Sequence, residues 1–285
     1  IDILPANEST YAASYLVDGV RQAGDPIAAA EAIQMIDFWK KAAGLDTSDR
    51  RRKLTGEVSI SGDSMSSATL KLNTSGSKSG MRMTMIFNPA EAVRRKVDAL
   101  GLLDPQLDLL KDWANELEHT GGVVLLSAPS DNGRTTMSYS IMRLHDAYTS
   151  NIQSVEYEIE DALEGIKQIA WDASADGPSF ATTVRSTLRR DPDIVTICDL
   201  PDVETAQNIA AADLERTRVY LCLRTDAALK AIQTYVQAVG DPKLAAKGLR
   251  GVVASKLVRV LCGNCKVPYQ PTPDMLKKLG LPQGK

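Results

Sequence analysis

The chain has 285 residues, 44% hydrophobic and 24% charged, with a formal net charge of −3. This is the balance of a water-soluble globular protein. It offers no bulk attraction to nucleic acid, and no apolar run reaches the about 18–20 residues that span a bilayer.

The length holds two domains of ordinary size. Residue 1 is Ile, inside an apparent strand, and no signal peptide precedes it, so the chain reads as a piece of something longer. Residues 11–17, 58–60, 68–72 and 81–87 read as strands, separated by polar loops at 62–67 and 76–80. Between the first two strands, residues 25–43 read as a helix. Asp25 caps it, Pro26 suits its first turn, Gly44 follows it, and Ile27, Ala30, Ile33, Ile36 and Trp39 share a face. Asn88-Pro89 breaks the pattern, and amphipathic helices follow at 91–100 and 105–117. From 123 onward strands and helices alternate. Strands fall at 123–126, 152–159, 194–198 and 219–223, and helices at 179–190, 203–214 and 227–238. That alternation implies a sheet with a parallel core, covered by helices. A last amphipathic helix, 244–261, ends at Cys262-x-x-Cys265.

The most informative stretch is GGVVLLSAPSDNGRTT, 121–136. A short buried strand leads into a tight turn, and a helix begins at Arg134 and continues through Met137, Ile141 and Leu144. Strand, turn and helix form the setting of a phosphate-binding loop of pattern G-x-x-x-x-G-K-[ST]. The eight positions here are Ala128, Pro129, Ser130, Asp131, Asn132, Gly133, Arg134 and Thr135. The second Gly and the Thr are kept, while Ala replaces the first Gly and Arg the Lys. Asp-Asn-Gly is also a good turn on its own chemistry.

Longer matches surround this loop. LRRDPDIV (188–195), Asp199 and DVETA (202–206) resemble the text LRQDPDIIMVGEIRDxETA of the assembly ATPases of type II secretion systems and type IV pili. NIQSVEYEIEDALEGIKQI (151–169) resembles their NIITIEDPVEYELPGINQV, and KLVRVLCGNCKVPY (256–269) their RLVRRLCPHCKEPY. YLVDGV and LDTSDRRRKLTGEV extend the likeness into the first ninety residues. The resemblance implies an α/β fold: a RecA-like P-loop ATPase domain at 91–285, its C-terminal part truncated, preceded by a smaller α+β PAS-like domain at 1–90. It implies a six-membered ring, ATP and Mg²⁺ between the domains, and an inner-membrane secretion platform as partner. The chain would then be cytoplasmic and peripheral to the inner membrane through its partners.

By resemblance, Ser130, Asn132, Gly133, Arg134, Thr135 and Thr136 are the cofactor-binding residues, and Glu156 and Asp199 the catalytic acids. Arg50, Arg51, Arg185 and Arg189 are the residues that reach phosphate or a neighbouring subunit. The departures cluster on the same chemistry. Asp131 replaces the loop's internal Gly, and a carboxylate there opposes each phosphate charge by about 4 kcal/mol at about 4 Å and an effective dielectric of about 20. Arg134 replaces a compact ammonium with a planar fork. Asp199 is a methylene shorter than the family's Glu. Tyr157 stands for an Asp, Pro201 for an Arg, and Arg224 and Thr217 for two His. The only histidines, His119 and His145, match neither.

The expectation is therefore a subunit built like the ATPase with a decayed nucleotide site, a pseudo-ATPase with weak or absent ATP binding. It would act in a homo-oligomeric ring or with an intact paralogue. The alternative is a slow but genuine ATP-hydrolysing motor. A DNA-translocating relative finds no basic stripe, so no nucleic-acid partner is expected. Cys262 and Cys265 have metal-knuckle spacing, but two ligands do not complete a zinc site, and none is expected in this fragment. Cys198 and Cys222 read as apolar filler in core strands.

Overall fold

The structure is a computed structural model that describes residues 1–17, 20–62, 65–116, 121–173, 176–280 and 282. These residues form two six-stranded sheets. The first contains β1 (Asp2–Pro5), β2 (Thr10–Val17), β3 (Val20–Ala28), β4 (Leu54–Gly62), β5 (Met65–Ser77) and β6 (Gly80–Phe87), in the order β3-β2-β1-β6-β5-β4. Every pairing in it is antiparallel. One face alternates inward, with Ile3, Tyr11, Leu72, Met81, Met83 and Met85, and helix α1 (Ala29–Ala42) lays Ala32 and Ile36 on it. The fully buried Lys40 of α1 donates its ammonium to the Asp49 carbonyl at 2.6 Å, which pins the following loop.

Two expectations fail here. The helix does not start at Asp25. Residues 26–28 pair with β2 as the end of β3, and α1 begins after Ala28, which makes no side-chain cap. Pro26 is tolerated because β3 is the sheet's edge, where a missing N–H costs little. The 76–80 stretch is not an open loop either. The β5–β6 ladder runs to Ser77 opposite Gly80, leaving a tight turn. Of the 62–67 loop, residues 63 and 64 lie outside the described residues, and Met65 already belongs to β5.

The expected helix 91–100 is broken. Helix α2 (Pro89–Val93) follows Asn88, and a single 3-10 turn (Val97–Ala99) comes next. Val93 packs with Tyr139, Met142 and Leu163, whereas Val97 packs with Leu110, Val124 and Met137. A continuous helix would put both valines on one face, so it cannot serve both clusters. Helix α3 (Asp104–Glu116) follows. Residue 117 of its expected span, and His119, lie outside the described residues.

The second sheet is all parallel. Its strands are β7 (Gly122–Ser127), β8 (Ile152–Glu156), β9 (Lys167–Ala170), β10 (Ile194–Ile197), β11 (Arg218–Leu223) and β12 (Leu249–Ala254), in the order β12-β7-β11-β10-β8-β9. Helices α5 (Phe180–Leu188), α6 (Val203–Ala210) and α7 (Ala228–Val239) cover one face. Helices α3 and α4 (Arg134–Met142) cover the other. Strands buried on both faces read as continuous apolar runs, and β7, β10 and β11 do.

The expected helix 244–261 is absent. Helix α8 (Pro242–Gly248) is short, and β12 then adds to β7 at the sheet edge, with Val252 and Val253 joining opposite cores. β-Branched residues in tandem suit that two-sided burial better than a helix face. Beyond β12 the backbone is irregular until α9 (Pro273–Lys278). No described helix is long and apolar enough to cross a membrane.

Candidate functional site

The order of the second sheet places the carboxyl ends of β7, β11, β10 and β8 side by side. That edge is where parallel α/β sheets bind ligands. The turn 128–133 leaves β7 there. Its ends are tied down: the Ala128 N–H donates to the Leu223 carbonyl at 3.2 Å, and the Ser127 hydroxyl meets Thr225 Oγ1 at 2.5 Å. Asp131 and Gly133 both adopt left-handed backbone, φ 59° and 77°. Gly does so freely and Asp more readily than most residues, so the turn keeps the shape of a glycine loop with a carboxylate added. Asp131 and Ser130 are exposed. Asn132 donates its amide to the Ser130 carbonyl at 2.8 Å, and its Oδ1 accepts the Leu257 N–H at 3.1 Å. Gly133 caps α4 without a side-chain bond, and Arg134, Thr135 and Thr136 form the helix's first turn.

Arg134 and Asp199 come together at this edge, in an arrangement the sequence did not foresee. Arg224 Nη2 lies 2.8 Å from Asp199 Oδ2, and Arg134 Nη1 lies 4.0 Å from Asp199 Oδ1. The Leu200 N–H also donates to Oδ1, at 2.9 Å. Asp199 is thus shared by two guanidinium groups and a backbone amide. Arg134 Nη1 is buried with no hydrogen-bond partner among the described residues.

Glu156, at the end of β8, is 4% exposed. Its Oε2 accepts the Tyr139 hydroxyl at 2.5 Å, and its Oε1 accepts the Ser154 hydroxyl and, at 3.2 Å, the Gln168 amide. Burial, then the Glu156 contact, pushes the Tyr139 phenol well above its ordinary range. Tyr139 therefore stays a proton donor, and both Glu156 oxygens are held by neighbours.

Glu160 is not among the residues the motif alignment selects. Burial pushes its carboxyl pKa upward, against opposing pulls from Lys71 and a hydrogen bond with Thr135. The signal was the acidic stretch EYEIE at 156–160, whose Glu156, Glu158 and Glu160 all line one cavity just past the end of β8. Arg134, Thr135, Tyr139, Glu156, Glu160 and Thr196 line one cavity of about 200 Å³, with Cys198 and Cys222 beside them. The four remaining arginines lie elsewhere. Arg50 makes a bidentate pair with Asp37, at 2.6 and 2.8 Å, and Arg51 is exposed. Arg185 lies 3.9 Å from Glu204, and Arg189 is exposed at the end of α5. Cys262 and Cys265 sit in an exposed turn, and the backbone N–H groups of Asn264 and Cys265 lower the Cys262 thiol pKa. No group of three or more metal-ligating side chains occurs among the described residues.

Comparison with known proteins gives a consistent picture. A family model described as "Type II/IV secretion system protein" matches residues 3–284. "Type II secretion system protein HxcR" of Pseudomonas aeruginosa is 33% identical over 257 residues, 89% of this chain and 53% of that protein. "Type IV pilus assembly ATPase PilB" of the same organism is 28% identical over 247 residues, 86% of this chain and 43% of that one. The chain spans about half the length of the curated relatives it matches. Among solved structures, the Yersinia pseudotuberculosis ATPase DotB superposes with a TM-score of 0.61 at 17% identity, covering 90% of this chain and 71% of that one. At that identity the likeness speaks for the fold, and the fold is the RecA-like α/β arrangement expected from the sequence.

Proposed function

The chain belongs to the type II/IV secretion system protein family, and on that premise we propose that it is a pseudo-ATPase subunit of a type II secretion or type IV pilus-like machine. It keeps the motor's shape and subunit contacts, while its nucleotide site is closed on its own side chains. The observation that carries this reading is Asp199. The carboxylate that would orient water or Mg²⁺ is neutralised by Arg224 at 2.8 Å and Arg134 at 4.0 Å.

The residues present fit a triphosphate only in part. The left-handed turn and the uncapped start of α4 suit an anion, and Thr135 offers a hydroxyl. Against this, Asp131 puts a negative charge on the rim. Arg134 must leave Asp199 to reach a phosphate, and Glu156 is fully engaged in holding Tyr139, Ser154 and Gln168. No histidine lines the cavity among the described residues, so none there takes the place of the family's phosphate-sensing histidines. We read residues 1–90 as the PAS-like domain and 91–285 as the ATPase-type domain. Ring neighbours are copies of this chain or an intact paralogue, and exposed Arg185 and Arg189 are candidates for that contact. The partner is the inner-membrane platform, and the location its cytoplasmic face.

The rival reading, a slow motor, draws on Arg134 Nη1, which has no hydrogen-bond partner among the described residues and so is free to meet a phosphate. Calorimetry with ATP·Mg²⁺ decides between them. The unmodified chain should bind weakly, Asp131→Gly with Arg134→Lys should bind more tightly than either change alone, and phosphate release should stay low throughout. Tight binding by the unmodified chain, with turnover that Asp199→Ala abolishes, would establish the motor instead.

A further inference from the structure

Cys198 and Cys222 are placed by the sheet in a way their separation in sequence hides. β10 and β11 run parallel with Ile197 opposite Leu221. One residue further along the same register come Cys198 and Cys222, and Cys198, just past the end of β10, is still tied to β8, its N–H donating to the Val155 carbonyl at 3.0 Å. Both residues line the same cavity of about 200 Å³, Cys222 from the core under α3 and α4, and Cys198 from the strand end, where it also packs against the core under α5 to α7. Cys222 is 2% exposed and Cys198 half-buried.

We infer that Cys198 and Cys222 are a redox-modifiable thiol pair that a peroxide or a small disulfide converts to an intrachain disulfide on the floor of this cavity. Adjacent strands lie about 4.8 Å apart, inside the Cα separation of about 4.4–6.8 Å that a disulfide spans. The Cβ atoms must close to about 3.5–4.5 Å. Cys198, one residue beyond the end of β10, is the side that yields. A bond made with such adjustment is of the labile, readily reduced kind.

The chemistry balances with peroxide as oxidant. The half-buried Cys198 sulfur attacks a peroxide oxygen, giving a sulfenic acid and one water. The Cys222 sulfur then displaces hydroxide from that sulfenic sulfur, and its thiol proton leaves with the hydroxide as a second water. Two electrons pass from the sulfurs to the peroxide. With a small disulfide, Cys198 forms the mixed disulfide and releases one thiol, and Cys222 displaces the other. Burial, then the neighbouring Cys222, pushes the Cys198 thiol up to about 12, and burial does the same to Cys222. Thiolate is therefore scarce and oxidation slow.

The position gives the pair a consequence. Asp199 follows Cys198 directly, and Arg224 lies two residues beyond Cys222, so the bond would clamp together the strand ends that carry the Asp199–Arg224 ion pair. The inference does not rest on whether the site turns over nucleotide.

Peptide mapping tests it on the unmodified chain. The protein is held with hydrogen peroxide or oxidised glutathione, alkylated under denaturing conditions, digested without reduction and analysed by mass spectrometry. The expected product joins the Cys198 and Cys222 peptides, lighter by two hydrogens than their sum, and disappears with dithiothreitol. In a Cys262→Ser, Cys265→Ser background both remaining thiols should be lost together, and adding Cys198→Ala should leave Cys222 reduced. Recovery of alkylated Cys198 and Cys222 while Cys262 and Cys265 are fully linked would overturn the proposal. So would Cys198 ending as a glutathione adduct or a sulfinic acid with Cys222 still free.

Discussion

At the scale of single residues, the site is held by polar groups that satisfy one another inside the protein. Tyr139→Phe keeps the ring but removes the donor to a buried carboxylate, and we expect a loss of about 1.5–3 kcal/mol in urea unfolding. A loss below about 0.5 kcal/mol would mean that water replaces the hydroxyl. His145 is a second buried group, 6% exposed, with Nε2 2.8 Å from the Tyr220 hydroxyl. Burial, then nearby Arg218, lowers its pKa from 6.5 to about 4. The folded state therefore holds the neutral ring, whereas the unfolded chain takes up a proton below about 6.5. Its contribution to stability is complete above that pH and is lost as pH falls toward about 4. Replacing His145 with Gln should flatten the pH dependence of the unfolding midpoint across that window, and an unchanged slope would assign it to carboxylates. The sequence showed which residues are unusual, Asp131, Arg134 and Arg224. It did not show that Arg224 would seat on Asp199, because that pairing depends on β10 and β11 ending side by side.

At the scale of elements, the central strands of the second sheet were legible because burial on both faces leaves mostly apolar residues in β7, β10 and β11, with few polar positions such as Thr196 and Arg218 to disguise them. The edges were not. β3 carries GDP at 24–26 and no buried residue, so nothing in its pattern separates it from a helix start. β12 was misread because Leu249, Val252 and Val253 suit a helical stripe as well as a strand. Gly251 was the overlooked marker: a Cβ there would come within 2.3 Å of the Trp113 ring. Gly251→Ala should therefore destabilise the fold by about 1–3 kcal/mol through overpacking, and pairing it with Trp113→Leu should recover much of the loss. If the single substitution is neutral in chemical denaturation, β12 is less firmly docked than the ladder implies.

At the scale of the whole molecule, the first sheet reaches the second through Lys71, whose ammonium lies 2.8 Å from Glu158, just beyond β8. On the proposed reading, a site closed on its own side chains would give a neighbouring subunit no bound nucleotide to read. Light scattering of dilute protein should accordingly report monomers or weak oligomers, and a stable hexamer without nucleotide would contradict this. One backbone contact has a wider reach. Ser255 continues the β12 ladder by donating to the Ser127 carbonyl at 2.8 Å, and Leu257 then fastens to Asn132 in the turn. Val258, Val260 and Leu261 follow, all exposed. Any ligand that needs the turn to open must first release this strap, and any partner that grips those apolar side chains pulls on the same fastening. The two events share one free-energy cycle. Whatever factor the partner contributes to the ligand's affinity, the ligand must return to the partner's.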